Sequence, residues 1–155
     1  DEQILFCHGE NARGVVCVVS GIDIYVALGQ QGRNALAVTK DNLLIADLLL
    51  EAGADTNISG EYGNFPLHAA AENQNERIVK NLLAHCARIY ERNEDGETAL
   101  IIAAQRGNNY IVGTLLDAGA NVTYADVAEH TALYYATEGG YNDIVEKLLI
   151  AGAEN

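Results

Sequence analysis

The sequence predicts an all-α solenoid, assembled from short helix–turn–helix units stacked side by side and joined by hairpin-like turns. Three regularities predict it. The doublet Leu49-Leu50 recurs at Leu82-Leu83, Leu115-Leu116 and Leu148-Leu149, a step of 33 residues each time. Three residues beyond each doublet stand Gly53, Cys86, Gly119 and Gly152, each followed by alanine. Leu67, Leu100 and Leu133 keep the same step, and the pairs Ile78-Val79, Ile111-Val112 and Ile144-Val145 precede the last three doublets. Residues 93–122 and 126–155 agree at 13 of 30 positions, nearly all apolar or glycine, so what repeats is a core. A period of this length is the mark of stacked supersecondary units.

Taken in order, residues 1–28 form an irregular first unit or cap, in which Val15-Val16-Cys17-Val18-Val19-Ser20-Gly21-Ile22-Asp23 reads as a worn second helix and its exit. Residues 29–59 make a second unit two residues short: Leu36 to Leu49 is 13 positions, whereas Leu67 to Leu82 is 15. Units 60–92, 93–125 and 126–155 are regular. In the fourth unit, Leu100, Ala103 and Ala104 lie at i, i+3 and i+4, one face of a short helix. Thr98 precedes it as a cap, and the alanines leave room for a neighbouring helix. Gly107 breaks the chain, and Asn108-Asn109 open a second helix carrying Ile111, Val112, Leu115 and Leu116. Gly119 ends it, since a left-handed terminal residue suits glycine. Asn93-Glu94-Asp95-Gly96 supplies turn chemistry between units. Neither helix is long enough to be stable alone, so stacking has to supply the burial.

Gly63-Asn64-Phe65-Pro66-Leu67-His68-Ala69-Ala70 and Gly96-Glu97-Thr98-Ala99-Leu100 resemble the G-x-T-P-L-H-x-A-A signature of the ankyrin repeat. Leu49-Leu50-Glu51-Ala52-Gly53-Ala54-Asp55 and Leu115-Leu116-Asp117-Ala118-Gly119-Ala120-Asn121 are similar to its L-L-x-x-G-A-D/N tail. The resemblance spans residues 29–155. It implies a buried, hydrogen-bonding His68 that braces its hairpin. The signature threonine is replaced by Phe65 in the third unit, and the histidine by Ile101 and Tyr134 in the last two, so looser turns are expected there.

Composition narrows the function. Nine basic against 22 acidic residues give a net charge of −13, which repels phosphate backbones and anionic membranes and suits basic protein surfaces. No apolar run reaches the length of a transmembrane helix. Cys7, Cys17 and Cys86 are odd in number and lack CxxC spacing, which points to reduced thiols in a cytoplasmic setting. His8 beside Cys7 lacks the further ligands a metal would need. Ser20 and Ser59 are the only serines, Cys17 sits among valines, and no nucleotide-binding or metalloprotease motif occurs. The chain therefore reads as non-catalytic, with no cofactor. Asn57-Ile58-Ser59 and Asn121-Val122-Thr123 fit a glycosylation triplet but sit in turn-rich exits, where asparagine is favoured for its backbone chemistry.

The resemblance implies binding of a partner protein through the concave face of hairpin tips and first helices. By register the tips are Arg33 (with Gln30 and Gln31), then Glu61, Tyr62 and Asn64, then Glu94, Asp95 and Glu97, then Val127 (with Ala128) and His130. The first-helix positions are Glu72 and Asn73, Gln105 and Arg106, and Glu138. Tyr62 suits a rigid anchor, and the acids suit a basic segment; solubility alone is the competing account of these charges. A monomer is expected. Two further readings stay open: a piece of a larger protein whose activity lies elsewhere, suggested by the missing methionine and abrupt end, and an engineered binder.

Overall fold

The computed structural model describes residues 6–11, 14–19, 22–26, 46–47, 50–51 and 55–153. From residue 55 onward three helical pairs follow one another, each preceded by a hairpin. The pairs are α1 (Pro66–Glu72) with α2 (Glu76–Ala84), α3 (Ala99–Gln105) with α4 (Asn109–Asp117), and α5 (Ala132–Glu138) with α6 (Asn142–Ile150). Ala46, Asp47, Leu50 and Glu51 of the short second unit are also helical. Arg33 lies outside the described residues.

The N-terminal segment corrects one expectation. Val15–Asp23 does not form a helix; it falls in a three-stranded antiparallel meander of β1 (Phe6–Asn11), β2 (Gly14–Val19) and β3 (Ile22–Val26). Val19 pairs with Ile22 and Val15 with Val26 along β2 and β3. The run of β-branched valines favours extended backbone.

Local chemistry fixes each helix in place. Thr98 Oγ1 accepts from the Ile101 amide and Thr131 Oγ1 from the Tyr134 amide, both at 3.3 Å. Asn75 and Asn108 cap the second helices in the same way, Asn108 accepting from both Tyr110 and Ile111. Phe65 offers no acceptor, and there Pro66 starts α1, a position that needs no amide hydrogen.

Every second helix ends alike. The amide of Ala87, Ala120 or Ala153 returns to the carbonyl of Leu82, Leu115 or Leu148, and the amide of Cys86, Gly119 or Gly152 returns to that of Leu83, Leu116 or Leu149. This double return requires a left-handed residue, and Cys86 adopts it with φ 62° where the other units have glycine. The recurring Leu-Leu-x-x-Gly-Ala string is thus the covalent record of one termination motif. First helices end the same way through Gln74 (φ 57°), Gly107 and Gly140.

Stacking supplies the core. First helices pack against first helices and each against its own second helix. Leu67, Leu100 and Leu133 form one buried row, Ala70, Ala103 and Ala136 another, and Leu82, Leu115 and Leu148 a third, all no more than 5% exposed. With only a methyl group at the contact, helix axes approach closely, and each unit completes its neighbour's core.

Candidate protein-binding face

The hairpins occupy Gly60–Asn64, Asn93–Glu97 and Asp126–His130. In each, the first residue's amide bonds to the last residue's carbonyl, at 2.7, 3.0 and 3.0 Å. Neighbouring hairpins are tied as well: the Glu94 amide donates to the Tyr62 carbonyl and the Val127 amide to the Asp95 carbonyl, both at 2.9 Å. The tips are therefore consecutive rungs of one hydrogen-bonded row.

Each turn is closed by different side chains. In the third unit His68 Nδ1 accepts from the Phe65 amide and its Nε2 donates to the Glu91 carbonyl, both at 3.0 Å. The imidazole is buried, and desolvation holds its pKa below the usual 6.5, so it stays neutral. This is the bracing role expected of His68. Units four and five, which lack that histidine, are not left loose. Asn93 Oδ1 accepts from the Glu97 amide at 2.8 Å, and Asp126 Oδ1 accepts from the amides of Ala128 and His130 at 2.8 and 2.9 Å. Asp126 Oδ2 takes the Tyr135 hydroxyl at 2.6 Å. Burial alone would raise this carboxyl's pKa, but the hydrogen bonds from Tyr135, His130 and Ala128 hold it below the ordinary value. The hydrogen bond to this carboxylate, together with burial, in turn pushes the Tyr135 hydroxyl up.

A polar chain runs behind the tips. Asn93 Nδ2 donates to Asn64 Oδ1 at 3.1 Å and to Glu97 Oε2 at 3.0 Å, and Glu97 Oε1 accepts from Gln105 Nε2 at 2.7 Å. On the next tip the Tyr135 hydroxyl holds Asp126 in the same way. Asn64, Glu97 and Gln105, read from sequence as contact residues, thus spend side-chain atoms on holding the hairpins together.

The remaining positions divide into three groups. Tyr62 (69% exposed) and Val127 (71%) project from the first and last tips, with exposed Glu94 and Asp95 on the middle one. Neither acid belongs to an ion pair among the described residues. Glu61 begins the 3-10 turn Glu61–Gly63 of the third-unit tip. Glu72 and Arg106 neutralise one another at 2.8 Å across the ends of α1 and α3, while Asn73 bonds back to the Ala69 carbonyl. Glu138 is exposed at the end of α5. His130 is half-buried, its ring stacked on Tyr134 at 3.9 Å and edge-on to Tyr135.

Sequence reasoning read Asn93 only as turn chemistry and did not place Asp126, Tyr135 or the exposed tip residue Glu129 at the site. The signal existed, since Gly60, Asn93 and Asp126 share one register position immediately before the tip. It also missed where the cations go. Arg92 donates to the Gly96 and Ala125 carbonyls, Arg77 pairs with Asp47, Lys80 lies over the Tyr110 ring, and Lys147 donates to the Asn109 carbonyl. Arg77, Lys80 and Lys147 stand on second helices, away from the hairpin row.

Among the described residues no group of His, Cys, Asp and Glu is placed to hold a metal ion, and no helix is long and apolar enough to cross a membrane. The family model for ankyrin repeats in three copies matches residues 34–126 and 67–155. Two proteins of Fowlpox virus (strain NVSL), both named for ankyrin repeats, are similar over shorter stretches. FPV244 is 40% identical over 52 residues, 34% of this chain and 8% of that protein. FPV031 is 43% identical over 67 residues, 42% of this chain and 20% of that protein. The match thus spans a small part of either relative. With the model match covering most of its length, and with the repeated helix ends, caps and hairpins described above, this chain belongs to the ankyrin repeat family.

Proposed function

We propose that the chain is a monomeric, non-catalytic recognition module that captures a basic segment of a partner protein on the concave face formed by its hairpin tips and first helices, in a cytosol-like compartment. Ankyrin repeats are generally protein–protein interaction modules, and the family is typically non-catalytic. The observation that carries the finer reading is the separation of charge. Cations of the second helices and exits, Arg77, Arg92 and Lys147, are engaged in internal bonds, while Glu94 and Asp95 stand exposed on the central tip with no ion pair among the described residues. Rigid backbone ties between the tips reduce the ordering cost that binding has to overcome. The exposed thiol of Cys86 suits a reducing environment.

The charge-reversal variant Glu94→Lys/Asp95→Lys tests this. Titrated against an arginine-rich peptide at low salt, the variant is expected to bind at least about tenfold more weakly than the parent. Equal affinity for the two proteins would remove the reading.

A further inference from the structure

The hairpin row carries an order as well as a charge: exposed Tyr62, then exposed Glu94 and Asp95, then exposed Val127, with Glu129 also exposed on the last tip. Tyr62 and Val127 lie two units apart, and Glu94 and Asp95 lie on the unit between them. The rungs are in register, because the Glu94 amide meets the Tyr62 carbonyl and the Val127 amide meets the Asp95 carbonyl. Helices of adjacent units pack at about 8–10 Å, so two units span roughly 16–20 Å. An extended chain covers that distance in about six residues, at about 3.3 Å each. Tyr62 is held outward by left-handed backbone (φ 59°, ψ 24°), a conformation absent from its counterparts Asp95 and Ala128.

We infer that the row reads an extended partner segment with an arginine at its centre and an apolar residue about three positions to either side, the arginine between Glu94 and Asp95 and the apolar residues on Tyr62 and Val127. This deepens the reading above and rests on it. Arginine is favoured over lysine because its planar fork can engage two carboxylates at once, whereas an ammonium is a single point charge. Apolar contacts at both ends fix the register that charge alone would leave free to slide.

The probes are two fluorescent peptides of one composition. In the matched peptide, Gly-Leu-Ser-Gly-Arg-Gly-Ser-Leu-Gly, the arginine is central; in the other it is moved beside one leucine. Anisotropy titrations are run on the full chain and on Tyr62→Ser/Val127→Ser, with far-UV circular dichroism confirming that the variant is folded. The expected result is about tenfold tighter binding of the matched peptide, a preference that disappears in the variant. Equal binding of both peptides by the parent overturns the register inference while leaving basic recognition intact. A preference that persists in the variant overturns the role of Tyr62 and Val127. Failure to bind either peptide or an oligo-arginine control overturns this inference and the function it rests on together.

Discussion

Single residues carry the departures from the repeat pattern, and each has a physical cost that can be measured. Cys86 occupies a left-handed position that the two later units give to Gly119 and Gly152. A side chain there costs about 1–2 kcal/mol relative to the right-handed region, and glycine returns roughly 0.5–1 of that in chain entropy. Cys86→Gly is therefore expected to stabilise the protein by about 0.5–1 kcal/mol, read as a raised urea midpoint; a lowered midpoint would mean that the thiol makes a contact worth more than the strain. His68 behaves differently. Its folded pKa lies below the unfolded value of 6.5, so protonation favours the unfolded chain. Its stabilisation is complete above that unfolded value and is lost as the pH falls toward the lowered folded one. Between about pH 7 and pH 5.5, where carboxylates are still largely ionised, the parent should lose stability that His68→Gln does not lose. Parallel pH profiles would show that the imidazole is not held neutral.

At the scale of elements, helices were legible in the sequence and strands were not. Caps at Thr98 and Asn108, breaks at Gly107 and Gly119, and apolar spacing all act within a few residues, so the string records them directly. Gly14–Val19 is extended, not helical, because its run of β-branched valines favours strand pairing wherever no repeat motif holds a helix in place. The hairpin interiors were half legible. A signature histidine announced its bonds at His68. In the next two units Asn93 and Asp126 do that work and did not announce their bonds, because Asn93 acts through Asn64 and Glu97 and Asp126 through His130 and Tyr135, partners that only folding brings together. Asn93→Ala should therefore cost about 1–3 kcal/mol by leaving the Glu97 amide and its carboxylate short of partners. A loss under about 0.5 kcal/mol, by chemical denaturation, would mark the network as incidental.

For the whole molecule, stability is a sum over neighbours. The helix α3 is covered on both sides, by α1 and α5, and Leu100 lies at that double interface, 2% exposed. Truncation to alanine is expected to cost about 2–5 kcal/mol and to uncouple the units on either side. The same arrangement leaves the hairpin row as a continuous edge, tied from tip to tip, on which the proposed binding places the partner. Membership of the family was legible from the 33-residue step together with the motifs at Gly63–Ala70 and Leu115–Asn121. Which tip residues stay free was not, because Asn64, Glu97 and Gln105 look like surface chemistry until their bonds are seen. The measurement that tests the central claim most directly is a nuclear magnetic resonance titration of the isotopically labelled chain with the matched arginine peptide. Shifts concentrated at Tyr62, Glu94, Asp95 and Val127, with the exposed positions of α2, α4 and α6 unmoved, are the predicted result. Shifts centred on those second helices, with the hairpin row silent, would contradict the account.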